Sequence, residues 1–338
     1  MFRVAFIGLG RAAQHHHWPH IRRLPNVEVV GGCDPDADAR LRAREAWGLL
    51  SVFADPEELL TRTAPDVVNV CTPPADHARA CLLALRHGAH VFCEKPFVES
   101  LEEADAVIAA AKAAGRTVVV NNQYRHMRIY EAAKRELNSE RFGRLLFLHA
   151  WQRMYRTPAT EGGWRGTLKQ RTLFEFGTHV LDLIRFFYEA DPVAVYAQMP
   201  RVLPQFEADL IDVVTLNFAD GRIASIVLDR VYHGPERYLE LGLDGERSSL
   251  RVSLDHVRQT GKAMLLKGSE SFVLAEDDGK PWGAATGRHF ARFLEALEGG
   301  QPPEARAEEN RRVIAVCFAA YESAERGEVV HLGEGGFA

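Results

Sequence analysis

The chain has 338 residues, 46% hydrophobic and 26% charged, which is enough to bury a core and to form two domains. Its formal net charge of -5 leaves no basic field for nucleic acid and points to a small-molecule partner. Five cysteines without CxxC spacing, a start straight into "MFRVAFIGLG" and no apolar run near about 18 residues argue against a disulfide framework, a zinc site, a secretory leader and a membrane span, and for a cytoplasmic protein with reduced thiols.

From Phe2 to about Asn121 short β-branched runs alternate with longer helical patterns: "RVAFIG", "VEVVGGCD", "DVVNVCTP", "HVFCEKP" and "TVVVNN" read as strands. Between the later ones lie "ADHARACLLALRHG" and "SLEEADAVIAAAKAAG". Continuous apolar strands separated by helices of that length predict a parallel, doubly wound α/β domain over residues 1–121.

The first strand is followed by "GLGRAA", which fits G-x-G-x-x-A with Gly8, Gly10 and Ala13. Gly8 permits the tight turn, Gly10 lets backbone approach a pyrophosphate, and a small residue at 13 lets helix and strand pack. With Arg11 and Ala12 at the start of the helix, the free N–H groups face the phosphates. Asp34 lies 24 residues past Gly10, at the end of the second strand, where its carboxylate accepts from ribose hydroxyls and repels a 2′-phosphate. Neither Pro35 nor Asp36 adds a cation, so NAD is favoured over NADP. In "QHHHWPH", His16 and His20 have metal-ligand spacing, but Pro19 breaks the register and no carboxylate or thiol joins them. The cluster reads as packing or surface residues, and no metal is expected.

Ligands bind outside the carboxyl ends of strands in such sheets. There "TPPADH" supplies Thr72, Pro73 and His77, "EKP" supplies Glu94 and Lys95, and Gln123 follows the last strand; all are expected around the cofactor. Pro96 ends its strand and turns Lys95 into the cleft, with Glu94 to hold the ammonium. A solvated Glu-Lys pair at a strand end is the simpler alternative.

Beyond Tyr124 the runs alternate and pair through tight turns: "DVVTLNFADGRIASIVLDRV" around Asp220-Gly221 and "LELGLDGERSSLRV" around Asp244-Gly245 predict hairpins of an antiparallel sheet within residues 122–338. Two helices close the chain, one with Phe290, Phe293, Leu294 and Leu297 on one face. In "TLFEFGTHVLDLIRFF", Glu175, His179 and Asp182 fall within about 60° of one another on a helix, opposite Val180, Leu181, Leu183, Ile184 and Phe187. Such a stripe either lines a site or faces water.

The motifs "GLGRAA", "CDPD", "CTPPADH", "CEKPF", "NNQYRHMRIY", "GTHVLDLIRFF" and "AAYESAERGEVVHL", in this order over nearly the whole chain, resemble the Gfo/Idh/MocA oxidoreductases, which include glucose-fructose oxidoreductase and inositol dehydrogenases. The resemblance implies a Rossmann domain followed by an α/β domain with an open-faced, mostly antiparallel sheet used for substrate binding and for homodimer or homotetramer assembly. It implies a cleft lined by the lysine of E-K-P and by a D-x-x-x-H pair whose histidine is the acid/base; the matching positions are Lys95, Glu175 and His179. Two departures stand out: glutamate replaces the usual aspartate at 175, and "RTLF" replaces a glycine-rich stretch before it. These leave the substrate open.

The expected reaction is hydride transfer between nicotinamide and a hydroxyl-bearing carbon of a sugar, cyclitol or related polyol. His179 serves as acid/base, Lys95 hydrogen-bonds the reacting oxygen, and Glu175 orients the imidazole or binds a neighbouring hydroxyl. Tyr124, Arg125, Trp164, Arg165 and Lys169 are candidates for the substrate wall, since polar and aromatic groups suit polyols. Two alternatives remain at this point: a glycosidase that oxidises, eliminates and re-reduces with held NAD, and a non-catalytic dinucleotide sensor.

Overall fold

The first sheet is parallel throughout: β1 (Phe2–Ile7), β2 (Val27–Cys33), β3 (Val52–Phe53), β4 (Val67–Val70), β5 (His90–Cys93) and β6 (Val118–Val120) lie in the order β3-β2-β1-β4-β5-β6. Every residue of β4 and of β6 is buried, as strands covered on both faces require. β3 has two residues, too few for a period to show, and the sequence reading passes over it. The computed structural model describes residues 1–235 and 238–333. Helices start at side-chain caps: Asp36 accepts from the Asp38 amide, Asp55 from Glu58 and Ser100 from Glu103.

The chain divides into two compact units, Met1–Gln123 with Trp282–Arg311, and Tyr124–Pro281 with Arg312–Ala338. A single boundary after residue 121 therefore differs from what is found: residues 282–311 return to the first unit. The cause is the apolar face of the helix Pro281–Leu297, whose Phe290, Phe293 and Leu294 join a core with Phe6, Trp18 and Phe92. Phe92 meets Phe290 and Phe293 at ring-centroid distances of 5.0 and 5.9 Å. Periodicity reveals such a face but not its partner.

The second unit holds β7 (Leu145–Arg153), β8 (Ala194–Gln198), β9 (Ile211–Asn217), β10 (Ile223–Asp229), β11 (Tyr238–Gly245), β12 (Ser249–Asp255), β13 (Thr260–Lys267), β14 (Glu270–Asp277) and β15 (Val330–His331). Their order is β14-β13-β12-β11-β7-β10-β9-β8-β15, antiparallel except where β7 and β10 run parallel. Asp220-Gly221 lies in the β9–β10 turn as expected. Asp244-Gly245 does not form the second apex: both belong to β11, and the turn falls on residues 246–248. Gly245 is needed there for close approach, since a Cβ would sit 2.6 Å from the Phe142 carbonyl oxygen. One face of the sheet is buried through Val214, Leu216, Ala224, Ile226 and Leu228, while Trp151, Val213 and Ile223 stand exposed in strands that alternate.

Candidate active site

In the first unit the loop after β1 has the geometry a dinucleotide needs. Gly8 sits at φ +93°, and a Cβ there would lie 2.7 Å from the Cys71 carbonyl, so only glycine fits. A Cβ on Gly10 would meet no atom within 4 Å, which leaves its backbone open to approach. The helical residues 11–21 open directly after it, wound as a π-helix over Ala13–His17, with Ala13 buried against the sheet and Arg11 exposed. Asp34 is tied to this loop: its Oδ2 accepts from the Leu9 amide at 2.8 Å and its Oδ1 from the Asp36 amide at 2.9 Å. These features fit NAD.

Cations do reach this corner: Arg42 Nη2 lies 3.9 Å from Asp36 Oδ2. Arg40, on the helix Ala37–Trp47, donates through Nη1 to the carbonyls of Asp34 and Pro35, both at 2.8 Å. Positions 35 and 36 carry no cation, but the helix folds residue 40 back onto the strand end.

At the ends of β4 and β5, Thr72 is half-buried and Pro73 exposed, and Lys95 is half-buried before a cis bond to Pro96. His77 differs from its expected place on the cofactor. Its ring is fully buried, with Nε2 2.9 Å from the Thr72 carbonyl and Nδ1 2.8 Å from that of Pro96 and 3.1 Å from that of Phe97. Both ring nitrogens are thus engaged by backbone, and His77 staples the two loops together. Burial, first, pulls its pKa down, against the carbonyls that raise it.

Glu94 also works inward. Its Oε1 lies 2.6 Å from His17 Nε2 and accepts from Asn121 Nδ2 at 2.6 Å, and Asn121 continues to Thr286 Oγ1 at 3.1 Å. Its Oε2 accepts from the Lys95 backbone amide at 3.3 Å, so this contact with Lys95 runs to the main chain. Burial alone would raise the Glu94 carboxyl, but the hydrogen bonds and charge of His17, together with Asn121 and Lys95, bring it below the usual carboxylate range. Asn69 Nδ2 lies 3.1 Å from His17 Nδ1, and Asn121 Nδ2 lies 3.4 Å from its Nε2. His17 is the site residue that sequence reasoning missed: within "QHHHWPH" nothing distinguishes the one histidine that points into the sheet. Gln123 ends the unit, buried.

In the second unit Glu175 lies on a π-helical segment, Thr172–Gly177, that runs into the helix Thr178–Tyr188 bearing His179 and Asp182. Glu175 is 2% exposed, His179 5% and Asp182 1%, so the titratable stripe is buried and the water-facing reading falls. The His179 ring stacks on Tyr124 with centroids 4.1 Å apart and planes 3° from parallel, and Tyr124 stacks in turn on Tyr130 at 6.0 Å. Arg125 grips Asp182 with two bonds of 2.7 and 2.5 Å, a buried fork that fixes the helix carrying His179. Glu175 Oε1 accepts from Arg165 Nε at 2.8 Å, and Arg165 lies 4.3 Å over the Trp164 ring. Lys169 stands apart, exposed and paired with Glu207 at 2.6 Å. A buried imidazole held flat against a tyrosine, four residues from a buried carboxylate, can exchange a proton with a hydroxyl.

A family model described as an oxidoreductase family with an NAD-binding Rossmann fold matches residues 2–122, and one described as the GFO/IDH/MocA C-terminal domain matches residues 130–251. The chain belongs to the Gfo/Idh/MocA oxidoreductases. Among relatives of this Gfo/Idh/MocA protein, D-apiose dehydrogenase from Paraburkholderia graminis is 25% identical, the match covering 98% of this chain and 90% of the relative. Myo-inositol 2-dehydrogenase from Thermotoga maritima is 23% identical over 98% of this chain and 99% of its own. The WlbA dehydrogenase from Bordetella pertussis, solved in complex with NADH and UDP-GlcNAcA, shares the fold with a TM-score of 0.85 at 21% identity, covering 98% of each chain. The protein is thus an NAD-binding oxidoreductase. Among the described residues no helix is long and apolar enough to cross a membrane, and the five cysteines are buried and free.

Proposed function

We propose that this protein is a dehydrogenase acting on a hydroxyl-bearing carbon of a sugar, cyclitol or related polyol, as its curated relatives named for apiose and inositol do. When bound, the nicotinamide takes up or returns the hydride. His179 holds the hydroxyl proton at its imidazole as the carbon is oxidised, since an imidazole nitrogen can both accept and return a proton. Lys95 donates a hydrogen bond that stabilises negative charge on the reacting oxygen. Tyr124 keeps the imidazole flat, and Glu175 and Arg165 border it from the helix start. The observation that carries this reading is the burial of His179 and Glu175 together on one helix entry, where a stripe of solvated charge would have been the ordinary outcome.

The test is NADH absorbance over a panel of sugars, cyclitols and their acids. Lys95→Ala and His179→Ala should each lower turnover by about two to four orders of magnitude with NAD binding near wild type. Near-normal turnover in either variant would remove that residue from its role. Sugar release without net NADH would point instead to the oxidation–elimination route. The buried free thiols support a cytoplasmic location, which fractionation of expressing cells would check. The exposed sheet face bearing Trp151, Val213 and Ile223 supports a homodimer or homotetramer.

A further inference from the structure

Four guanidiniums gather near Glu175 in the second unit. Arg165 donates to it directly, and Arg156, Arg171 and Arg230 each feel its charge. Arg156 Nη1 donates to Glu161 Oε1 at 2.7 Å, and Arg171 Nη2 donates to Glu161 Oε2. Arg171 also donates to the carbonyls of Arg156 and Arg165 at 3.0 and 3.2 Å. Arg230 lies 3.5 Å over the Phe176 ring and donates to Met154 Sδ and to Gln152 Oε1. Arg171 and Arg230 are therefore buried and engaged.

Arg156 and Arg165 are different. Their side chains remain 35% and 39% exposed. Neither Nη of Arg165, and neither Nε nor Nη2 of Arg156, makes a hydrogen bond among the described residues. Arg156 lies within electrostatic reach of Arg165 and of Tyr124, the ring on which His179 stacks. Glu161, Glu175 and Asp209 face the four arginines, with Asp209 accepting from the amides of Arg171, Thr172 and Leu173. Burial first, and then Asp209, push the carboxyl of the buried Asp212 above the usual range.

We infer that Arg156 and Arg165 form a subsite for a carboxylate on the substrate, so that the hydroxyl oxidised belongs to a sugar acid or a carboxylated cyclitol rather than to a neutral polyol. A planar carboxylate matches the fork of donors that these two guanidiniums leave unfilled. The inference rests on the dehydrogenase reading for the reaction, but the subsite is a binding claim that stands or falls separately.

The experiment compares hexuronates, aldonates and carboxylated cyclitols with their uncharged methyl esters or amides on the NAD-loaded full-length protein, by NADH absorbance and by calorimetry. At least one acid should exceed its neutral counterpart by about thirtyfold or more in kcat/KM or affinity, with an advantage that shrinks as salt rises. Arg156→Gln and Arg165→Gln should each cut that acid-to-neutral ratio about tenfold or more, and Arg165→Lys should restore part of it. The wild-type comparison stands even if a variant fails to fold. NADH from neutral compounds without preference for acids would overturn the subsite and spare the dehydrogenase. Acid-selective binding without NADH would support the subsite and count against the reaction. No acid-selective signal in either measurement would overturn the inference.

Discussion

Glu175 shows how one methylene decides a contact. Its carboxylate reaches Arg165 at 2.8 Å, and Glu175→Asp would withdraw it by about 1.5 Å. A shift of that size beside an acid/base group is expected to cost around a hundredfold in turnover. Glu175→Gln keeps the length but leaves four arginines short of a carboxylate, so chemical denaturation should show a loss of about 3–5 kcal/mol. Unchanged rate and stability in both variants would remove Glu175 from the site. The angular grouping of residues 175, 179 and 182 was legible in the sequence; their burial was not. The covering groups Tyr124, Arg125 and Arg165 come from segments with no periodic relation to the helix. NAD should bind at least about tenfold more tightly than NADP by calorimetry, because the fixed Asp34 carboxylate meets the 2′-phosphate. Asp34→Ala should narrow the ratio and Arg40→Ala should widen it. Equal wild-type affinities would contradict this.

At the scale of elements, the loop after β5 is held by two buried histidines from elsewhere in the chain, His17 from the first helix and His77 after β4. The strand end and its proline were plain from "HVFCEKPF", and so was Lys95. The inward turn of Glu94 was not, because its partners at 17, 121 and 286 are joined only by the fold. The Glu94 carboxyl lies lower in the folded chain than the ordinary value of 4.5. Its contribution to stability is therefore present above the ordinary carboxylate range and is lost as pH falls through that range toward the folded value. Thermal melts should show wild type losing more stability than Glu94→Gln between neutral pH and about pH 3, with the substituted protein less stable at neutral pH. Parallel pH profiles would show that the His17–Glu94 pair carries no linkage.

For the whole molecule, the parallel first sheet, the glycine loop and the antiparallel second sheet could be read from periods of apolar residues and from turn residues, whereas the two-residue β3 could not. The return of residues 282–311 to the first unit could not, since a helix stripe does not name the sheet it covers. The nine-stranded sheet has Trp151 45% exposed beside Val213 and Ile223, and light scattering at micromolar concentration should give a dimer or tetramer; a monomer would contradict assembly through this face. In the proposed reaction hydride passes directly from the hydroxyl-bearing carbon to nicotinamide under control of His179. This is tested most directly by supplying a substrate deuterated at the hydroxyl-bearing carbon and measuring the mass of the NADH formed. The NADH should be heavier by one deuterium, and its formation slowed by about two to four orders of magnitude in His179→Ala that still binds NAD. Unlabelled NADH, or undiminished label transfer in the His179 variant, would contradict it.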